Sequence, residues 1–205
     1  MRIRSIAAVV APAALILAGH PVVATATPAP TCLGHRATIV GTTGRDVIHG
    51  TARADVIVAS GGADTVYGGR GNDLICAGDG NDHVYGGRGN DRIVAGRGAD
   101  ALFGDDGADL ELGDSGDDIV NGGADDDVLN GGADDDQVNG GQGDDELDGD
   151  QGDDVLHGDD GNDVLDDDQG DDVKDGGRGE DHCRGGSVNT CDQGDDDGSE
   201  DGDDQ

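Results

Sequence analysis

The sequence predicts an all-β chain wound as a parallel solenoid, in which short strands alternate with tight turns. Three observations predict it: an unbroken nine-residue period, an Asp that holds one phase of that period, and an aliphatic residue that holds another. Blocks of nine run without insertion from Gly41 to Arg184, sixteen in all, covering 144 of the 205 residues. The sixth position is Asp in every block: Asp46, Asp55, Asp64, Asp73, Asp82, Asp91, Asp100, Asp109, Asp118, Asp127, Asp136, Asp145, Asp154, Asp163, Asp172 and Asp181. The eighth is Ile, Val or Leu in thirteen blocks, with Glu111, Lys174 and Cys183 as exceptions. The fourth is Gly in thirteen, with Arg53, Asp125 and Asp134 as exceptions. A tract merely enriched in Gly and Asp would not hold a polar and an apolar constraint in one register.

Each element of the solenoid follows from its place in the block. Gly at the first, second and fourth positions permits positive φ and close backbone approach, so six residues turn tightly with carbonyls on one side. Positions seven to nine form a short strand, with the eighth side chain inward and its neighbours outward. Two blocks, eighteen residues, complete one coil of two strands and two turns. Tyr67, Tyr85 and Phe103 then form an outward ladder on one sheet, and Val58, Cys76, Val94 and Leu112 line the other, with strands about 4.7–4.9 Å apart.

Composition bounds the alternatives. One Phe, two Tyr and no Trp among 205 residues exclude a large aromatic core. Twelve basic against forty-seven acidic side chains give a charge of −35, which makes nucleic acid a poor partner. So much Gly and like charge would by itself suggest a disordered chain; the phased period argues otherwise for the array. Asp192 to Gln205 carries eight acids and no Lys or Arg and reads as a disordered acidic tail.

Residues 1–26 differ from the rest. Arg2 and Arg4 give a basic start, Ile6 to Ala18 is apolar, and Ala24, Thr25 and Ala26 have the small-x-small form of a cleavage site. They read as a secretory signal peptide, with an apolar run too short to span a bilayer comfortably, so the expected product is secreted and extracellular with no integral membrane span. Four cysteines suit an oxidising compartment and allow three pairings. Spacing favours Cys183 with Cys191 and Cys32 with Cys76; a free thiol at Cys183, whose slot normally holds an apolar residue, stays open. Residues 27–40 read as an N-terminal cap with Ile39 in the inward phase, and residues 185–191 as a C-terminal cap.

Blocks such as Gly68 to Cys76 and Gly140 to Asp148 resemble the G-G-x-G-x-D-x-U-x pattern of the hemolysin-type calcium-binding repeat, the RTX family. That resemblance implies a right-handed parallel β-roll, a β-solenoid of nonapeptide repeats, with several Ca2+ ions in its turns. It also implies that the sixteen sixth-position Asp carboxylates are metal ligands bridging neighbouring sites, completed by carbonyls of the Gly-rich positions. Such a donor set suits calcium, a hard cation taking six to eight oxygens. Two stacks of eight turns have seven gaps each, a ceiling of about 14 ions.

Departures from the pattern carry their own expectations. Arg53 sits where a Gly should let carbonyls approach, so full occupancy is not expected there. Asp125 and Asp134 are expected to form left-handed turns that bind less well. Glu111 occupies an inward slot, and a local bulge is expected in preference to a buried charge. Lys174 and Cys183 are expected where the core frays into the C-terminal cap.

There is no catalytic signature, with no G-x-S-x-G elbow, no H-E-x-x-H and no P-loop, and no EF-hand calcium loop. His35, His49, His83, His157 and His182 are scattered. A non-enzyme is expected, either a secreted calcium-binding module that folds on binding calcium or a surface adhesion or recognition protein whose scaffold calcium stabilises. Any cell-surface or matrix partner is unidentified. RTX proteins commonly leave the cell through a C-terminal signal, whereas this chain carries a cleavable N-terminal one, so the family's toxin activities are not transferred.

Overall fold

A computed structural model describes residues 29–167, 169–185, 188–189 and 191. The signal peptide and the acidic tail expected at residues 1–26 and 192–205 lie outside the described residues. The chain begins with β1 (Thr31–Cys32), β2 (His35–Arg36), β3 (Ile39–Val40) and β4 (Val47–His49). Regular strands follow: β5 (Val56–Gly61), β6 (Thr65–Arg70), β7 (Leu74–Asp79), β8 (His83–Arg88), β9 (Arg92–Arg97) and β10 (Ala101–Asp106). The run continues with β11 (Leu110–Ser115), β12 (Ile119–Ala124), β13 (Val128–Ala133), β14 (Gln137–Gln142), β15 (Glu146–Gln151) and β16 (Val155–Asp160). It closes with β17 (Val164–Asp167), β18 (Val173–Arg178), β19 (His182–Gly185) and β20 (Val188–Asn189).

Alternate strands stack into two nine-stranded sheets, β3 to β19 through the odd numbers and β4 to β20 through the even ones. Neighbours are parallel and, within the array, exactly one coil apart in sequence, as in Leu102 opposite Val84 and Val120. The result is the all-β parallel solenoid that the nine-residue period predicts.

The regular strands are longer than expected. They take in positions seven to nine and also the first three positions of the next block, so two side chains per strand face inward, at the eighth and first positions. The eighth supplies the aliphatic columns, with Ile75, Ile93, Leu102, Leu147, Leu156 and their equivalents buried between the sheets. The first is Gly or, at 59, 77 and 95, Ala in every block but one, the exception being Asp167. Small residues there let the sheets approach and leave space for the Asp side chains. A Cβ at Gly104 would lie 2.3 Å from the Asp109 carboxylate. At the fourth position the backbone is left-handed in most turns, including Asp125 (φ 76°) and Asp134 (φ 81°), as their residue types allow. Asp105, Asp114, Asp150 and Asp159 adopt the same conformation at the second position.

The expected outward ladders form. His49, Tyr67, Tyr85 and Phe103 stack in parallel with ring centroids 4.9–5.0 Å apart, His49 extending the ladder by one coil. Val58, Cys76, Val94 and Leu112 pair in register on the other sheet. The antiparallel hairpin β1–β2 lies against β5 and β7, and the Cys32–Cys76 disulfide fastens it there, with Cys32 fully buried. Cys183 pairs with Cys191, so it is not a free thiol, and both pack on the end of the core.

Two expectations are corrected. Glu111 makes no bulge: it stays in register between Ile93 and Leu129 with no exposed surface. The parallel hydrogen bonds of both flanking strands hold its backbone in phase, so the carboxyl is carried inside. Lys174 does not lie in a frayed end either, because β20 adds a strand beyond it and its side chain is fully buried. Its ammonium donates to the carbonyls of Asp167 and Arg184, which supplies the acceptors that a buried Lys requires.

Candidate metal centre

The sixth-position Asp residues sit where each turn enters its strand, and stacking brings them into two columns. One runs Asp46, Asp64, Asp82, Asp100, Asp118, Asp136, Asp154, Asp172; the other runs Asp55, Asp73, Asp91, Asp109, Asp127, Asp145, Asp163, Asp181. In both, the backbone N–H of each Asp donates to Oδ1 of the Asp one coil later. The later links are built alike, most at 2.7–2.9 Å, with Asp154 to Asp172 longer at 3.3 Å. The Asp carbonyl in turn accepts from the first strand residue one coil on, as in Leu110 N–H to Asp91 at 3.0 Å. Each carboxylate is thereby fixed by a neighbouring coil, so the site exists only when coils stack.

The second carboxylate oxygen is the informative one. In thirteen of these residues, from Asp64 to Asp163 and at Asp172, Oδ2 is buried without a hydrogen-bond partner. A buried carboxylate oxygen is costly to leave unpaired, and a column of such hard oxygen donors suits a hard cation. The residues present therefore fit calcium.

Burial raises the pKa values of the column carboxyls from Asp64 to Asp163 above the usual carboxylate range, with the N–H donor from the preceding coil lowering them in part. Asp118 is pushed up to about 8. Asp91, Asp127 and Asp136 reach about 7, with like charges in neighbouring coils adding to burial. Asp64, Asp73, Asp100, Asp109, Asp154 and Asp163 reach about 6. Glu111 lies well above its usual value because of burial first and then the charges of Asp109 and Asp127. Burial thus disfavours the ionised form of these carboxyls, a cost that a cation bound at the columns would relieve.

The first two turns differ. Asp46 Oδ2 accepts from the backbone N–H and hydroxyl of Thr42 at 2.6 and 2.8 Å. Asp55 Oδ2 accepts likewise from Thr51 at 2.8 and 2.7 Å, and its Oδ1 from the Thr38 hydroxyl at 3.3 Å. Protein donors thus occupy the oxygens that are free elsewhere. Thr at the second position, in place of Gly, was the sequence signal for this, and Arg53 is a companion feature: the Thr51 hydroxyl accepts from its N–H.

One buried acidic residue escapes the nine-residue reading altogether. Asp167 takes the first position, where the other fifteen blocks have Gly or Ala, and points into the roll with 1 % exposure. Burial, then the charges of Asp172 and Asp154, push its carboxyl up to about 7, with the Gln169 amide and Lys174 easing it only in part. Its singularity within the alignment of blocks was the available signal.

The RTX calcium-binding nonapeptide repeat family matches the chain in four copies, at residues 40–75, 77–111, 112–147 and 148–187, which together span the stacked coils. No curated protein matches the chain. Among the described residues no helix is long and apolar enough to cross a membrane. With the repeat matched along the array and a ladder of buried Asp carboxylates suited to multiple Ca2+ ions, the chain belongs to the RTX calcium-binding nonapeptide repeat family.

Proposed function

We propose that this chain is a secreted, non-enzymatic calcium-binding repeat protein whose array folds as it binds calcium, with the sixth-position Asp residues as ligands. The observation that carries this reading is the double column of buried, unpartnered Oδ2 atoms. Two aliphatic side chains per coil are a small apolar core for eighteen ordered residues. The charge opposes compaction as well: −35 for the whole chain, and −37 without Arg2 and Arg4. About 14 divalent ions would bring the latter to about −9 while engaging turn carbonyls, so binding and folding are coupled. Asp64 to Asp172 are the stronger ligands, and Asp46 and Asp55, held by Thr42 and Thr51, the weaker. Export by a cleaved N-terminal signal is supported by the composition of residues 1–26 and by two disulfides, which persist in oxidising compartments.

Circular dichroism of the protein lacking residues 1–26 tests this reading. A coil spectrum in chelator and β structure in millimolar calcium are expected, with magnesium a poor substitute because it keeps its water and demands octahedral geometry. A full β signature in chelator at neutral pH overturns it. A second reading, a calcium-stabilised adhesion or recognition protein, is favoured by the His49, Tyr67, Tyr85 and Phe103 ladder, an aromatic stripe on an outer sheet face with Tyr67 39 % exposed. Cross-strand stacking accounts for the same stripe as stabilisation. Loss of surface binding on replacing the three aromatics by Ser, with calcium binding kept, would favour recognition.

A further inference from the structure

Near the C-terminal end of the even-numbered sheet, the repeat changes its interior chemistry. Asp154 and Asp172 occupy successive levels of one ligand column, and Asp167 enters between the sheets from the position that is otherwise Gly or Ala. Ligand oxygens of all three lie within 4.8 Å of one another, and the three residues are at most 1 % exposed. Both oxygens of Asp167 and the Oδ2 atoms of Asp154 and Asp172 lack a hydrogen-bond partner of good geometry. Gly149 makes room for the arrangement: a Cβ there would meet Asp167 Oδ2 at 2.3 Å and Asp154 Oδ2 at 2.6 Å.

We propose that Asp154, Asp167 and Asp172 form a divalent-cation site distinct in kind from the turn sites of the repeat, with Asp167 supplying a third carboxylate from inside the roll. Lys174 fits this assignment. It is fully buried close by, and its ammonium is engaged by the carbonyls of Asp167 and Arg184. Three carboxylates and one ammonium leave two negative charges, which one divalent ion neutralises. Hard carboxylate oxygens select an oxygen-seeking ion such as calcium, and the number of charged ligands, with site rigidity, sets calcium affinity over orders of magnitude across known sites, so a third carboxylate favours tighter binding. Asp167 also lies on the wall of a surface recess lined by Asp148, Asp150, Asp166 and Gln169, an acidic approach for a cation.

The inference rests on the calcium reading of the repeats and predicts one class of site beyond it. Titration of the full chain with calcium, in competition with a chromophoric chelator, should reveal one ion per chain bound about tenfold or more tightly than the rest. Asp167→Gly restores the repeat's own residue, and Asp167→Asn keeps the shape while removing the charge. Both should lose the tight class and keep the remaining ions and the β signal in excess calcium. Absence of that class from the wild type, or its retention in either variant, overturns the proposal. A wild-type chain that binds no calcium at all would instead overturn the reading of the repeats themselves.

Discussion

Replacing Glu111 with Leu should stabilise the calcium-loaded roll, and the structure sets the scale. Glu111 has no exposed surface, stands in register between Ile93 and Leu129, and has no hydrogen-bond partner of good geometry for either carboxyl oxygen. Leu is of similar size, so the backbone need not move. Burying a Leu side chain contributes about 1.5–3 kcal/mol. Removing an unsatisfied buried polar group relieves about 1–3 kcal/mol more. A gain of about 2.5–6 kcal/mol is expected, read from denaturant unfolding in saturating calcium with stoichiometry measured in parallel. Glu111→Gln, which keeps a polar group in the same slot, should recover little of it. The wild-type carboxyl is raised well above its ordinary value, so it is tolerated best when protonated. Its stabilising effect relative to the ionised form is present at low pH and lost as pH rises, so the advantage of Leu should widen with pH. A Leu variant equal to or less stable than the wild type would refute the view that this carboxyl is an unrelieved cost.

The same sign applies to the columns without metal. Because Asp91, Asp118, Asp127 and Asp136 titrate at about 7 to 8 in the fold, against about 3.9 in an unfolded chain, metal-free stability should fall as pH rises from about 4 to 8. Circular dichroism in chelator should show more β structure at pH 5 than at pH 8, and a rise with pH would contradict it; calcium affinity, competing with protons, should increase over the same window. Asp145→Ala removes a carboxylate with a free Oδ2 and should lower calcium stoichiometry in equilibrium dialysis, whereas Asp55→Ala, already satisfied by Thr38 and Thr51, should lower it less. Equal losses would contradict the division between early and later turns. Thr51→Gly should raise calcium uptake at the second turn by freeing Asp55 Oδ2, and unchanged uptake would argue that Arg53 alone disables that turn.

Much of the fold was legible because a solenoid repeats its local rules. The phase of Asp and aliphatic residues specified the strands, the eighteen-residue coil and the columns, and hence that Tyr67, Tyr85 and Phe103 would stack. Asp125 and Asp134 could be read as left-handed because their short polar side chains tolerate that conformation. The strands' extension through the Gly-Gly pair was not legible, since glycine gives no alternation to read; pairing with the neighbouring coil decides it.

What the sequence by itself determined about this protein is periodic: the all-β class, the stacking interval and the residues that recur at the turn. What only the tertiary structure decided is aperiodic, since it depends on side chains from different coils meeting. The fate of Glu111 turned on hydrogen bonds in two flanking strands, which hold the backbone in register more firmly than one carboxyl can disturb it. The partnering of the Asp46 and Asp55 carboxylates turned on Thr hydroxyls that reach them within the same turn. Lys174 reads singly as a flaw near the end of the array and Asp167 escapes the periodic reading, and only the packing of coils brings them beside Asp154 and Asp172, where low dielectric makes each charge depend on the others.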